Sequence, residues 1–164
     1  MKSDEEYRVY CQSLPGKRMG AGVLFFDTQG RVLLVKPTYK DHWEIPGGVV
    51  EKGESPRTCM LREVQEEIGL DVPVGRLLCV DYREDDGVRT ESLMFIFDGG
   101  ELSEVQIAAI RLQEKELSSY EFVAPSRLLE YLDEIRLGRR VLSCLETKAK
   151  NRDVYLEQGA HVCP

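Results

Sequence analysis

Apolar and polar positions divide the chain into segments of two kinds. The first clear run, Gly20-Ala21-Gly22-Val23-Leu24-Phe25-Phe26, meets Asp27-Thr28-Gln29-Gly30 and resumes as Arg31-Val32-Leu33-Leu34-Val35. Two apolar runs around a glycine-containing turn predict a β-hairpin. Neither run alternates cleanly, and near-continuous apolar strands are those covered on both faces by other layers. A sheet with helices outside is therefore expected. Val74 to Tyr82 and Glu91 to Phe97 read as two strands separated by the polar turn Arg83-Glu84-Asp85-Asp86-Gly87, Val105 to Leu112 as another, and Tyr120 to Val123 as a short one.

Ser55 to Ile68 has a helical pattern. Ser55 is a good N-cap, Pro56 sits at the first helical position where its missing N–H costs nothing, and Gly69 is a natural C-cap. With Leu61 at zero and about 100° per residue, Val64 and Ile68 fall within roughly 60° of it, while Glu63, Glu66 and Glu67 cluster on nearly the opposite side. That predicts a core face through Leu61 and an acidic face across from it. Helical sequence opens again at Ala124-Pro125-Ser126, with Leu128 to Leu132 continuing through Ile135, Leu137, Val141 and Leu145. Its basic residues Arg136, Arg139, Arg140, Lys148, Lys150 and Arg152 read as a solvated face rather than as a patch for phosphate or a partner. Between these elements, Pro46 and the Gly47-Gly48 pair forbid ordinary strand or helix geometry and let backbone groups approach something closely.

Composition narrows the class. Across 164 residues, 22 Lys and Arg stand against 29 Asp and Glu for a net charge of −7, with 42% hydrophobic and 31% charged residues. One domain is expected, since domains run roughly 100–200 residues; its core covers about residues 18–135, followed by a helical extension and tail over 136–164. No segment approaches the roughly 18 apolar residues of a membrane helix, and the acidic start Met1 to Glu6 has no apolar run behind it. The expectation is a cytoplasmic chain with no membrane partner. The charge also argues against binding long nucleic acids, which takes an excess of Lys and Arg on one face. It leaves open a small anion held through a metal. Cys11, Cys59, Cys79, Cys144 and Cys163 form no C-x-x-C pair, so neither a disulfide framework nor a zinc site is expected. Cys59 and Cys79 read as apolar filler, and Cys163 as a mobile thiol.

The acidic helix face carries the candidate chemistry. Carboxylates one turn apart repel, and Glu66 and Glu67 near the helix C-terminus oppose the macrodipole. A hard divalent cation would offset both, because Mg²⁺ takes carboxylate, water and phosphate oxygens. Solvated surface acids are the bland alternative. It has to account as well for Gly47-Gly48, for Gly53-Glu54 ahead of the N-cap, and for Arg62 beside Glu63 as a charged donor able to orient acids.

Read as a string, Gly48, Glu54, Arg62-Glu63-Val64, Glu66-Glu67 and Gly69-Leu70 resemble the Nudix box, G-x5-E-x7-R-E-U-x-E-E-x-G-U with U aliphatic, at every specified position. Trp43-Glu44-Ile45-Pro46-Gly47 resembles the family's lead-in, with Ile45 where Leu is commoner. The resemblance implies the Nudix α/β/α sandwich around a mixed central sheet. It implies hydrolysis of a nucleoside diphosphate linked to another moiety, by water attack on a pyrophosphate phosphorus. It further implies Mg²⁺ or Mn²⁺ held by the Gly47 carbonyl, Glu66 and Glu67, with Glu63 as further ligand or base, Arg62 orienting Glu63, and Glu54 supporting the loop or contacting a metal-bound water.

Family members often recruit another acid from a later loop; Glu114, Glu116 and Glu121 are candidates here, and Glu116 is favoured. Dimers are common in the family, so a homodimer is compatible with the resemblance. Cys59 and Met60 depart from the small residues usual at their positions. No proline lies between Pro73 and Pro125, so the proline marking many ADP-ribose pyrophosphatases is absent. Outside the box, Trp43 reads as packing rather than a base-stacking platform, His42 as an ordinary loop histidine, and Arg83 and Arg89 as either phosphate contacts or partners of Asp85 and Asp86. A nucleotide-binding or regulatory module of the same family without turnover is the alternative, though such modules often lose box acids and all are present here. Isomerase use of the fold would need active-site residues not evident in this chain, and use as a glycosylase accessory usually comes with extra domains.

Overall fold

In a computed structural model describing residues 3–162, the hairpin runs from β1 (Arg18–Phe26) to β2 (Val32–Pro37). Asp27 builds its turn: Oδ1 accepts from the backbone N–H groups of Gln29 and Arg31, and Oδ2 pairs with Arg31 Nε at 2.6 Å. After β3 (Gly47–Val49) comes α2 (Pro56–Ile68), then β4 (Leu77–Arg83), β5 (Ser92–Glu101), α3 (Glu104–Ala109) and β6 (Leu117–Val123). A 3-10 helix (Pro125–Glu130) and a π-helical turn (Glu134–Gly138) lead into α4 (Arg139–Ala149), and the hairpin β7 (Val154–Glu157) and β8 (Ala160–His161) follows. Ahead of β1, α1 (Asp4–Ser13) buries no residue.

All eight strands join one mixed sheet in the order β6-β2-β1-β5-β4-β7-β8, with β3 paired to the first half of β1. β1 and β5 are parallel, as are β4 and β7; the other pairs are antiparallel. The two-residue side-chain period sorts the strands onto two cores. Val23, Phe25, Leu33 and Val35 pack with Cys59, Met60, Val64 and Ile68 of α2. Leu24, Phe26, Val32 and Leu34 pack with Leu128, Leu137, Val141 and Cys144. The near-continuous apolar strands are thus buried on both faces, in the α/β/α sandwich that the pattern predicts.

Three expectations change, those for Val105 to Leu112, Leu61 and Arg140. Val105 to Leu112 is not a strand: Ser103 and Gln106 close a reciprocal capping box that starts α3, satisfying helix donors that a strand would leave for a sheet partner. Ser103→Ala is expected to lower unfolding free energy by about 1 kcal/mol in a denaturant titration; an unchanged midpoint would contradict the cap. Leu61 is exposed rather than a core residue, because the buried stripe of α2 centres on Met60 and Val64 and reaches Cys59 and Ile68. The segment after residue 136 contributes to the packed structure, with α4 covering the sheet and β7 pairing with β4 in parallel. Arg140 is buried, 5% exposed, rather than on a solvated face. The other basic residues of that segment do meet solvent, and Arg136, Lys148 and Lys150 pair with Asp86, Asp98 and Glu146. Cys59 and Cys79 are buried, the latter with its Sγ 3.2 Å from that of Cys144; Cys163 lies outside the described residues. Among the described residues no helix is long and apolar enough to cross a membrane.

Candidate active site

Three local devices position α2. The Ser55 side chain accepts the Thr58 backbone N–H, Pro56 opens the first turn, and Gly69 closes the helix in the left-handed conformation with φ +70°. The loop before α3's following strand then docks on its C-terminal end: Arg111 N–H donates to the Ile68 carbonyl and Gln113 N–H to the Glu67 carbonyl. This fixes the distance between the helix and the start of β6, where Glu116 lies.

Arg62 organises the acids. Its Nε and Nη2 grip Glu54 at 3.0 and 3.1 Å, while Nη1 reaches Glu63 at 2.8 Å and Glu66 at 3.1 Å; Nη2 also donates to the Val49 carbonyl. Hydrogen bonds to Arg62 draw the Glu54 carboxyl below its ordinary range, and the same acids raise the guanidinium's own pKa. Glu63 is different: burial dominates and pushes its pKa up despite Arg62. Cys59, buried beside Glu54 and Glu63, is pushed up to about 11 and is therefore an uncharged filler at neutral pH.

Glu67 sits on the side of α2 facing β3, and its Oε2 accepts the Gly47 backbone N–H at 2.9 Å. Burial raises its pKa to about 8, against the pull of that hydrogen bond and with the help of negative charge on Glu63, Glu116 and Glu44. Glu44 in turn is held by Lys40 at 2.8 Å and His42 at 3.3 Å. Two close approaches require glycine in β3, that of β1 at Gly47 and that of α2 at Gly48. A Cβ on Gly47, whose φ is +146°, would stand 2.2 Å from the Ala21 carbonyl oxygen, and a Cβ on Gly48 would stand 2.2 Å from Glu63 Oε1.

The predicted residues therefore fall into two sets. Gly47, Glu54, Arg62, Glu63, Glu66 and Glu67 share one contact network, and Glu116 lies within electrostatic reach of Glu63 and Glu67. Glu66 is its most exposed acid. Glu121 is bound instead by the Tyr131 hydroxyl, and Glu114 is exposed. Among the described residues no three acidic, His or Cys side chains converge as a ready cation cage, because Arg62 and the Gly47 N–H engage the carboxylates. Trp43 packs edge-on against Tyr131, with ring centroids 5.6 Å apart. Arg83 donates to the Ile135 carbonyl, and Arg89 stands 3.9 Å from Asp86.

A cleft of about 210 Å³ opens on the far side of β3 from α2. Gly20 and Gly22 of β1 and Met94 and Ile96 of β5 line it, with Leu137 and Arg140 from the C-terminal helical segment. Gly47, Gly48 and Glu44 line it too, so the cleft shares with the acid network the two β3 glycines against which Glu67 and Glu63 stand. Nothing in local spacing marks Met94 or Arg140 as cleft residues; strand order and the docking of α4 bring them there.

A family profile described as the NUDIX domain matches residues 16–144. An RNA pyrophosphohydrolase from Psychrobacter sp. (strain PRwf-1) is 42% identical over 55 residues, covering 34% of this chain and 32% of that protein. An 8-oxo-dGTP diphosphatase from Proteus vulgaris is 42% identical over 64 residues, covering 37% of this chain and 56% of that protein. The matched segments thus span about a third to a half of these relatives' lengths. The crystal structure of MutT protein from Methanosarcina mazei Go1 superposes with a TM-score of 0.66 at 23% identity, covering 86% of this chain and all of that one. With the profile spanning most of its length and the complete box on α2, the chain belongs to the Nudix hydrolase family.

Proposed function

We propose that the protein is a divalent-cation-dependent pyrophosphohydrolase acting on a small nucleoside di- or triphosphate derivative. The observation that carries this reading is Glu67, held against the Gly47 N–H and raised to about 8 by burial and by three neighbouring acids. Such crowding of negative charge on hard oxygen donors is what a Mg²⁺ or Mn²⁺ ion relieves, and the donor set fits it. Glu63, Glu66, Glu67 and the Gly47 carbonyl would hold the ion. When bound, it would neutralise phosphate charge and favour attack by water.

The chain's own residues do the rest. Arg62 ties Glu63 and Glu66 together through Nη1, and Glu54 braces Arg62 through two contacts. Glu116, in the turn just before β6 and within electrostatic reach of Glu63 and Glu67, would accept the proton of the attacking water. Glycine at 47 and 48 lets β3 stand against β1 on one side and the Glu63 carboxylate on the other, so that the strand lining the cleft also touches the acids. The names of the relatives, an RNA pyrophosphohydrolase and an 8-oxo-dGTP diphosphatase, support a nucleotide-type substrate.

Phosphate release should be followed from nucleoside triphosphates, oxidised nucleotides, nucleotide sugars, ADP-ribose, dinucleoside polyphosphates and 5′-triphosphorylated RNA, with Mg²⁺ or Mn²⁺ and with chelator. Chelator-sensitive turnover of at least one class is expected. A folded protein that binds nucleotide yet turns over none of them would favour the binding-module reading. Arg62→Ala is expected to lower kcat by roughly 10–100-fold, the usual cost of losing a group that orients cation ligands; full activity in the variant would remove Arg62 from this account.

A further inference from the structure

Arg140 is 5% exposed, and its Nε donates to Asp81 Oδ2 at 2.7 Å. The second Asp81 oxygen is taken by the Gly159 N–H at 2.9 Å, contributed by the turn between β7 and β8. Asp81 therefore holds the guanidinium by one nitrogen only. Nη1 and Nη2 make no hydrogen bond to any described residue, yet they are not sealed off: the one sealed, unpartnered side-chain atom among the described residues is Gln113 Oε1. Arg140 lines the cleft, and these terminal nitrogens are the part of its guanidinium that no described residue occupies.

We propose that Arg140, positioned by Asp81, selects the base of the substrate by donating from Nη1 and Nη2 to two adjacent neutral acceptors, the O6 and N7 edge of a guanine-type base. This rests on the hydrolase reading only in placing a nucleoside in the cleft. Three features favour a neutral edge over a second phosphate. The charge of Arg140 is already matched by buried Asp81, so its remaining nitrogens need no anion as partner and are suited to neutral acceptors. Met94, Ile96 and Leu137 offer apolar surface to a ring, and a thioether makes favourable contacts with aromatic rings. The cleft floor is kept open by Gly20, where a Cβ would stand 2.5 Å from Met94 Cε.

Guanidinium forks donate to O6 and N7 in a bidentate manner. Adenine places an amino donor where O6 would be, and 8-oxoguanine carries a hydrogen on N7; each presents a donor to a donor. Among purines, hypoxanthine keeps both acceptors. Glu44, also lining the cleft, supplies an acceptor suited to the N1–H and N2 amino group of guanine.

Binding of GMP, IMP, 7-deaza-GMP, 8-oxo-GMP, AMP and CMP to the wild-type protein should be measured by NMR titration. None has an anhydride bond, so binding is read apart from turnover. GMP and IMP are expected to bind at least about 10-fold more tightly than the other four, equivalent to about 1.4 kcal/mol. Arg140→Lys, which keeps the charge but loses the fork, is expected to bring GMP and AMP within about 2-fold of each other. Equal binding of all six, tighter binding of CMP or 8-oxo-GMP, no loss on replacing N7 by carbon, or no binding of any would overturn the proposal, and the comparison with 7-deaza-GMP holds even where Arg140→Lys does not fold. Phosphate release with no base preference would leave the hydrolase reading standing while this one falls; guanine selectivity without turnover would do the reverse.

Discussion

Glu67→Gln is expected to lower kcat by roughly 10²–10⁴-fold, the range spanned by groups that handle charge or protons in a transition state. The substitution is nearly isosteric, and the amide oxygen still accepts the Gly47 N–H seen at 2.9 Å, so folding should survive. Loss of the charge should also change stability with a definite sign. Glu67 rises from an ordinary 4.5 to about 8 in the folded chain, first through burial and then through Glu63, Glu116 and Glu44. Between those values the folded protein holds a proton that the unfolded chain has released, so the group's contribution to stability declines as pH rises from about 4.5 to 8. Thermal melts with chelator should show wild-type Tm falling over that window relative to Glu67→Gln. Adding Mg²⁺ or Mn²⁺ should restore the wild type most at the upper end, where the ionised carboxylate is the form that binds. Parallel Tm profiles for the two proteins, with or without cation, would mean that Glu67 is not the crowded acid described here.

Gly48→Ala adds a single methyl group and is expected to cost roughly 10²-fold in kcat/KM, as misplacement of a catalytic group by about 1 Å does. The added Cβ would stand 2.2 Å from Glu63 Oε1 and 2.5 Å from its carboxyl carbon. One side must give. Glu63 is hydrogen-bonded to Arg62, whose fork also holds Glu54 and Glu66, so a shift of that carboxyl disturbs the whole acid set. Movement of the backbone instead would pull Gly47 off Glu67 Oε2. Steady-state kinetics with Tm as a folding control checks this; wild-type kcat/KM in a folded Gly48→Ala protein would show that β3 and α2 do not meet as closely as described.

How much of this was legible beforehand depended on the range of each interaction. The acid set lies within one helix and the loop before it, so local spacing marked Glu54, Arg62, Glu63, Glu66, Glu67 and the two glycines together. Leu61 lies off the buried stripe, which passes through Met60 and Val64 and places Glu67 at the edge of the core, so that Glu67 is half-buried while Glu66 is exposed. The capping boxes Ser3/Glu6 and Ser103/Gln106 were readable in sequence, but the apolar spacing around Ile107 and Ile110 favoured a strand. Arg140 was beyond local reading. Its partner Asp81 lies on β4 and is itself held by the Gly159 N–H between β7 and β8, so only the assembled sheet distinguishes Arg140 from the solvated basic residues around it.

The most direct test of the account is phosphate release from a mixture of nucleoside triphosphates by chelator-treated protein, before and after addition of Mg²⁺ or Mn²⁺, with wild type and Glu67→Gln side by side. The account predicts no release before the cation, turnover by the wild type after it, and a loss of roughly 10²–10⁴-fold in the variant. Release that persists in chelator, or a folded Glu67→Gln protein as active as the wild type, would contradict it.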